Sequence, residues 1–356
     1  MTPYILLYSI ILLFPLTNKF FYNKEKFKTA YCAVIFISVI LILGLRHPLM
    51  GIDLPGYLKS FHRLTEYSWQ EILSLETYLN YEKGYVIFNK LIGDLTCQNE
   101  QLFLLICAAV STIPVWYIIW KKSDDVLLSS IIYLGLPIFI LQFSGLRQCI
   151  ALGLCFYSIV WIEKKKIIRF LCLVLLACCF HTTAIIFVLA YFVYHIHISE
   201  KIRWFTLILF PIVYFIRVPL FVVLSLIFKE NAVITQTNAV TMMLVFFMIY
   251  IFVIFLSHGK NDKRINGYLN IFLCACLCMI FSGVYSTAIR IGYYFSFSLV
   301  LLLPLVISQM RDRRWAFIFR CVIIMCFIWF AFDSITDSYW AMAYPYYPYW
   351  EMYIIS

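Results

Sequence analysis

Five short stretches of an otherwise apolar chain hold most of the side chains that could bind or transform a charged ligand. Arg46 is followed by Gly51, Asp53 and Tyr57, and Glu82 by Gly84 and Tyr85. Ser144, Arg147 and Gln148 share one tight turn, His181 sits in another, and Arg290 precedes Tyr293. Three arginines offer planar forks that match phosphate oxygens two at a time, which suits a pyrophosphate carried on a lipid. An imidazole or a carboxylate can serve as general base, so His181, Asp53 and Glu82 are candidates for moving a proton. Each residue also has a plainer use. An arginine at a helix end snorkels to headgroups, a histidine can satisfy an interhelical hydrogen bond, and loop carboxylates are often structural. The collection says more than any member.

Other chemistries lack their signatures. There is no GxxxxGK[ST], GxGxxG or HExxH, no paired-cysteine spacing and no DxD pair in the loops that carry the candidate residues. Asp124 and Asp125 are adjacent and read as a solvated loop. Cys274, Cys276 and Cys278 alternate along a helix, so the middle thiol faces away from its neighbours. Twelve of the 13 cysteines lie in or beside apolar stretches, where thiols behave as small hydrophobes. Cys97 alone lies in a long polar loop. The expectation is metal-independent chemistry with no cofactor, on a substrate already activated by its leaving group.

The elements that must position these residues are membrane helices. The chain has 356 residues, 64% apolar and 13% charged, with a mean hydropathy of +0.90. Soluble domains are about 45–50% apolar and about 25% charged, so a water-soluble globular protein is excluded. Apolar runs of helical length predict about twelve spans, at 3–18, 29–45, 102–120, 126–143, 147–162, 167–180, 182–195, 204–222, 240–256, 267–284, 291–308 and 315–332. The fold expected is an all-α polytopic membrane protein, one membrane domain over 1–356. The first span lacks a basic leader and a clear cleavage site and reads as an uncleaved anchor. The span at 204–222 contains Arg217 between Pro211 and Pro219. Either Arg217 is inside the membrane at a cost of several kcal/mol, or the helix is broken there.

A net charge of +10 invites a nucleic-acid reading until the charges are placed. Nineteen of the 28 basic residues fall in alternate connections with seven acidic ones, and the other connections hold nine basic and eleven acidic residues. Basic residues concentrate in cytoplasmic loops, which puts both termini outside and leaves no nucleic-acid partner. All five candidate stretches then fall on the outer face. That face also carries the longest polar segment, 46–101, and an aromatic tail, 333–356. In the first, Ser68 and Glu71 have capping-box spacing ahead of Ile72, Leu75, Tyr78 and Leu79. Tyr85 to Leu95 is a second amphipathic stretch, and both suit helices lying on the membrane and roofing a cavity. In the tail, Tyr339, Trp340, Tyr344, Tyr346, Tyr347, Tyr349 and Trp350 suit the headgroup zone and equally suit stacking on sugar rings.

The same residues resemble a known family. Arg46 to Asp53 with Tyr57 resembles the R-x4-G-x-D-x3-Y element of the EpsG family, which belongs with the Wzy-type polymerases of bacterial surface polysaccharides. Glu82, Gly84, Tyr85 and Asn89 resemble its E-x-G-[YF]-x3-N element. Ser144, Arg147, Gln148 and Ala151 resemble its S-x-x-R-Q-x-x-A turn, and Phe180, His181, Thr183 and Ala184 its F-H-x-[ST]-A turn. Arg290, Tyr293 and the Tyr344-Pro345-Tyr346 tail fit more loosely, and residues 204–280 show no landmark. The resemblance implies a polymerase of undecaprenyl-pyrophosphate-linked oligosaccharide repeat units in the bacterial inner membrane, its active site facing the periplasm. Arg147 and Arg290, helped by Arg46, would bind the pyrophosphate, with Gln148, Tyr57, Tyr85 and Tyr293 at the glycan. His181 would be the base, with Asp53 and Glu82 as rivals. A chain-length regulator would be a partner. The alternatives are another lipid-linked glycan transferase such as an O-antigen ligase, an acyltransferase, or a flippase, which should carry basic residues deep within many helices.

Overall fold

The computed structural model describes residues 1–20, 23–75, 78–228, 240–337, 339 and 341–351; Trp340 of the aromatic tail lies outside them. Among the described residues the chain is helical, and its β-type pairings are the isolated bridges Arg46–Pro348 and Tyr78–Tyr81. The chain is a multi-pass membrane protein. Among the described residues seven helices are long and apolar enough to cross a bilayer, or eight if one bent pair forms a single span. Four shorter apolar helices, at Thr2–Asn18, Val126–Gly135, Ile167–Cys178 and Thr182–His195, lie where the first, fourth, sixth and seventh spans were expected. A twelve-residue helix extends about 18 Å, less than the roughly 30 Å hydrocarbon core, so length alone does not make these spans.

The helices run α1 (Thr2–Leu13), α2 (Lys24–Gly44), α3 (Leu54–Glu66), α4 (Trp69–Ser74), α5 (Lys83–Thr96), α6 (Glu100–Lys122), α7 (Val126–Gly135), α8 (Pro137–Leu141) and α9 (Leu146–Glu163). They continue with α10 (Ile167–Cys178), α11 (Val188–His195), α12 (Glu200–Phe215), α13 (Arg217–Phe228), α14 (Val240–Ser257), α15 (Lys263–Phe281), α16 (Thr287–Ser296), α17 (Leu299–Ser308) and α18 (Arg313–Asp337). The sequences of α7 and α17 are apolar all round, as befits helices enclosed by others, and both are buried along their length. Ser129 of α7 donates to the Val300 carbonyl of α17 at 2.6 Å. Phe156 of α9 stacks on Phe297 at 4.7 Å. At the end of the bundle carrying Lys122 and Asp125, Arg320 of α18 makes a two-pronged bond to Asp125 at 2.5 and 3.3 Å.

The opposite end carries the long polar loop. The Ser68–Glu71 capping box is present and starts α4, but the helix stops at Ser74, and Leu79 and Asn80 take positive φ in the turn beyond. The second expected helix is α5. A third, α3, begins in Leu54-Pro55-Gly56, a start that reads as a turn in sequence although proline is at home in a first helical turn. Phe61 of α3 stacks on Phe103 of α6 at 4.2 Å, pinning the loop to the bundle.

The tail is held by backbone. His47 donates to Tyr347 O at 2.8 Å and Tyr349 to Leu45 O at 2.9 Å, while the Tyr4 hydroxyl donates to Ala343 O at 2.6 Å. Tyr339 and Trp350 remain exposed. The helix at Arg217 is broken: α12 and α13 meet at 76°, and the Arg217 guanidinium lies 3.8 Å from the centre of the Tyr214 ring and donates to Tyr214 O at 2.7 Å.

Gly51 fixes the turn that leads into α3. Its φ is +109°, and a Cβ there would lie 1.9 Å from the Phe143 carbonyl oxygen. We therefore expect Gly51→Ala to destabilise the protein by about 1–3 kcal/mol, read as a lower melting temperature in detergent. An unchanged melting temperature would contradict this placement of the turn.

Candidate active site

The turn before α5, the first turn of α9 and the turn after α10 meet at one carboxylate. Glu82 is the N-cap residue of α5, yet its side chain makes no capping bond. It reaches instead across the loop. Oε2 lies 2.5 Å from Arg147 Nη1, and Oε1 lies 3.2 Å from His181 Nδ1 and accepts the Thr182 N–H at 3.0 Å. Gly84 makes the approach possible. A Cβ there would come within 2.6 Å of the Cys179 carbonyl oxygen, and the next residue, Tyr85, donates its N–H to that same oxygen at 3.1 Å. The α5 backbone thus lies against the chain two residues before His181.

Arg147 is fixed from several sides. Its Nη1 also donates to Asn80 O at 3.2 Å, its Nε donates to the Tyr57 hydroxyl at 3.5 Å, and its guanidinium lies 4.4 Å from the centre of the Tyr81 ring. Burial alone would raise the Glu82 carboxyl, but hydrogen bonds from His181 and the Thr182 N–H, with the charge of Arg147, outweigh it and bring the carboxyl down to about 2. An ionised carboxylate only accepts, so the His181 nitrogen facing it carries the proton. In the neutral ring that tautomer makes Nε2 the acceptor.

A second acidic N-cap is used the same way. Asp53 precedes α3 without capping it; its Oδ2 accepts from the Ser144 hydroxyl at 3.0 Å, and its N–H donates to that hydroxyl at 3.2 Å. Asp53, Tyr57, Ser144, Arg147, Gln148, His181, Arg290 and Tyr293 all line one cavity of about 300 Å³. Gln148 ties α9 to α16 through Arg290 O at 3.0 Å. The Arg290 side chain is exposed and makes no hydrogen bond or ion pair among the described residues.

Three expected site residues, Arg46, Tyr85 and Glu82, are not among those lining the cavity. Arg46 is 1% exposed, donates to the carbonyls of Leu43, Gln142 (3.2 Å) and Phe143 (3.5 Å), and stands 5.3 Å from the centre of the Phe143 ring. Its fork is spent on main-chain oxygens that helix ends leave without partners, so it braces the wall behind the cavity. Tyr85 is fully buried, edge-on to Tyr57 at 5.8 Å, and supports the lining. Glu82 stands behind Arg147 and His181 rather than among the cavity-lining residues.

A family model described as the EpsG family matches residues 29–350. The chain belongs to the EpsG family. No curated protein and no solved structure matches it. The EpsG match contains all five candidate stretches and also residues 204–280, where the sequence offered no landmark.

Tyr81 was not foreseen. In a chain with 26 tyrosines and 33 phenylalanines an aromatic has little contrast, although its place directly before Glu82 is the signal that could have marked it. Ser286 and Ile289, which complete the cavity beside Arg290, carry no signal in their residue types.

The Glu82 carboxyl is lowered in the folded protein from 4.5 to about 2, so its stabilising effect is complete above pH 4.5 and fades as the pH falls toward 2. The stability advantage of the wild type over Glu82→Gln should shrink across that window in acid unfolding. A difference independent of pH would contradict an ionised Glu82 at the centre of the cluster.

Proposed function

We propose that this EpsG-family chain is a membrane glycosyltransferase that polymerises lipid-linked oligosaccharide repeat units of a bacterial O-antigen, capsule or exopolysaccharide. The observation that carries this reading is the single cavity in which Arg147, Arg290 and His181 converge from sequence-distant helices, with Glu82 bonded to two of them. The growing glycan on undecaprenyl pyrophosphate is the donor, and one lipid-linked repeat unit is the acceptor. An acceptor hydroxyl oxygen forms a bond to the donor's anomeric carbon as the bond from that carbon to the pyrophosphate oxygen breaks. The pyrophosphate leaves on its lipid with the bonding pair, and the hydroxyl proton goes to the base.

The site geometry supports His181 Nε2 as that base. Glu82, held near a pKa of 2, binds protons too weakly for the task near neutrality, and its role is to orient His181 and Arg147. Arg147 and the unpaired Arg290 are suited to the pyrophosphate, where fixed cations stabilise charge that develops on the leaving group. Tyr57 and Tyr293 offer ring surface to sugars. In this reading the basic loops face the cytoplasm, the cavity opens outward, and the long, bent and shorter apolar helices together make twelve spans with both termini outside. The protein acts in the inner membrane with a chain-length regulator as partner, and no step requires a metal.

The test is a gel profile of surface and lipid-linked glycan in cells that lack the gene and carry wild-type, Arg147→Ala or His181→Ala copies. Both variants should reach the membrane and leave a product of single repeat units, with chain extension down by about 10²-fold or more. A normal ladder from Arg147→Ala would reject its role. Complete loss of surface glycan with lipid-linked units accumulating would point to a flippase or ligase.

A further inference from the structure

A second polar cavity, of about 280 Å³, lies at the far end of α15 from the candidate active site, between the start of α12 and the loop joining α14 to α15. Ile265, Asn266 and Leu269 near the start of α15 line it, while the candidate active site takes Ser286 to Tyr293 from beyond that helix's end. The family reading makes no use of it. Its lining includes Arg203, which in sequence is one more basic residue of a loop but in the structure is 6% exposed.

We propose that this cavity binds a phosphate-bearing anion. Arg203 donates from Nη2 to Asn266 Oδ1 at 2.6 Å, Asn270 Oδ1 at 2.8 Å and the Asn266 carbonyl at 3.4 Å; the Tyr250 hydroxyl stands beside the guanidinium, and among the described residues Nη1 meets no acceptor within hydrogen-bond geometry. Among the described residues no carboxylate lies within ion-pair distance of it. A buried cation without a counter-charge costs several kcal/mol, and amide oxygens repay only part of that. Lys260 lines the same cavity, and among the described residues its ammonium meets the Val306 carbonyl alone, at 3.5 Å. Burial pulls its ammonium below the ordinary lysine value, which an anion beside it would reverse.

The two carboxylates in the lining are already engaged. Glu200 takes His258 at 3.0 Å and the Gly259 N–H at 2.6 Å. Asp262 caps α15 through the Arg264 and Ile265 N–H groups at 2.6 and 3.3 Å, accepts from Gln309 at 2.5 Å, and stands 4.0 Å from Arg264. The start of α12 also lies in the lining, and its N-cap, Ser199, makes no capping bond. Uncapped N–H groups at a helix start attract anions. A buried guanidinium without a counter-charge, an ammonium and an uncapped helix start in the lining of a space of this size match a phosphate group, carried on a lipid head or on a small soluble ester.

The test uses the purified full-length protein. In detergent at constant ionic strength, inorganic phosphate should raise the melting temperature and the effect should saturate. Lys260→Gln, a change on a half-buried loop residue, should require at least tenfold more phosphate, and Arg203→Met should lose the response. Nanodiscs of phosphatidylglycerol and of phosphatidylcholine separate the sources. Stabilisation by phosphatidylglycerol with no further gain from phosphate identifies a lipid head, and a phosphate response retained there identifies a soluble ester. No saturable phosphate effect on the wild type, or an unchanged response in Lys260→Gln, would overturn the proposal.

Discussion

The Glu82 carboxylate is the interaction on which the rest of the site depends. It takes Arg147 from α9 on one oxygen, and His181 with the Thr182 N–H from the turn after α10 on the other. In a chain this apolar, a half-buried arginine and an ionised carboxylate are each costly alone, and paired with further hydrogen bonds they hold one another in place. One acidic side chain therefore sets the relative position of the long loop, α9 and the α10 turn. Asp53 does the same for the start of that loop through Ser144. Both acids occupy N-cap positions and neither caps its helix, so each carboxylate is free to reach across to a neighbouring element.

Two close backbone approaches make those reaches geometrically possible. Gly51 lets the turn before α3 press on the Phe143 carbonyl, and Gly84 lets the start of α5 press on Cys179. The carboxylate and glycine of each motif are parts of one device. The glycine brings two backbones together, and the charged side chain then finds its partner on the other side. Behind the cavity Arg46 and Gln142 serve carbonyl and hydroxyl groups of the bundle core, which keeps the wall rigid.

Much of this could be read from the residues. The apolar runs placed the helices, and Arg217 between two prolines left open the break that the structure shows. Arg147, His181, Glu82 and Asp53 stood out because charge is scarce. What could not be read was direction. Arg46 and Arg203 have the same local pattern as an arginine that snorkels, and only the packing of other helices turns them inward. Tyr81 was invisible among many aromatics, and α3 was hidden by a Pro-Gly start. The short helices α10 and α11 satisfy a hydropathy pattern for spans, yet their length comes from the His181 turn that interrupts them.

The central claim is that the cluster around Glu82 joins lipid-linked sugar units at the expense of a lipid pyrophosphate. The most direct measurement is a reaction of purified protein with synthetic lipid-linked repeat units as the only substrate. The account predicts a ladder of products with one lipid pyrophosphate released for each unit added, and no ladder from His181→Ala. A ladder of equal yield from that variant, or units moved across a bilayer without being joined, would contradict it.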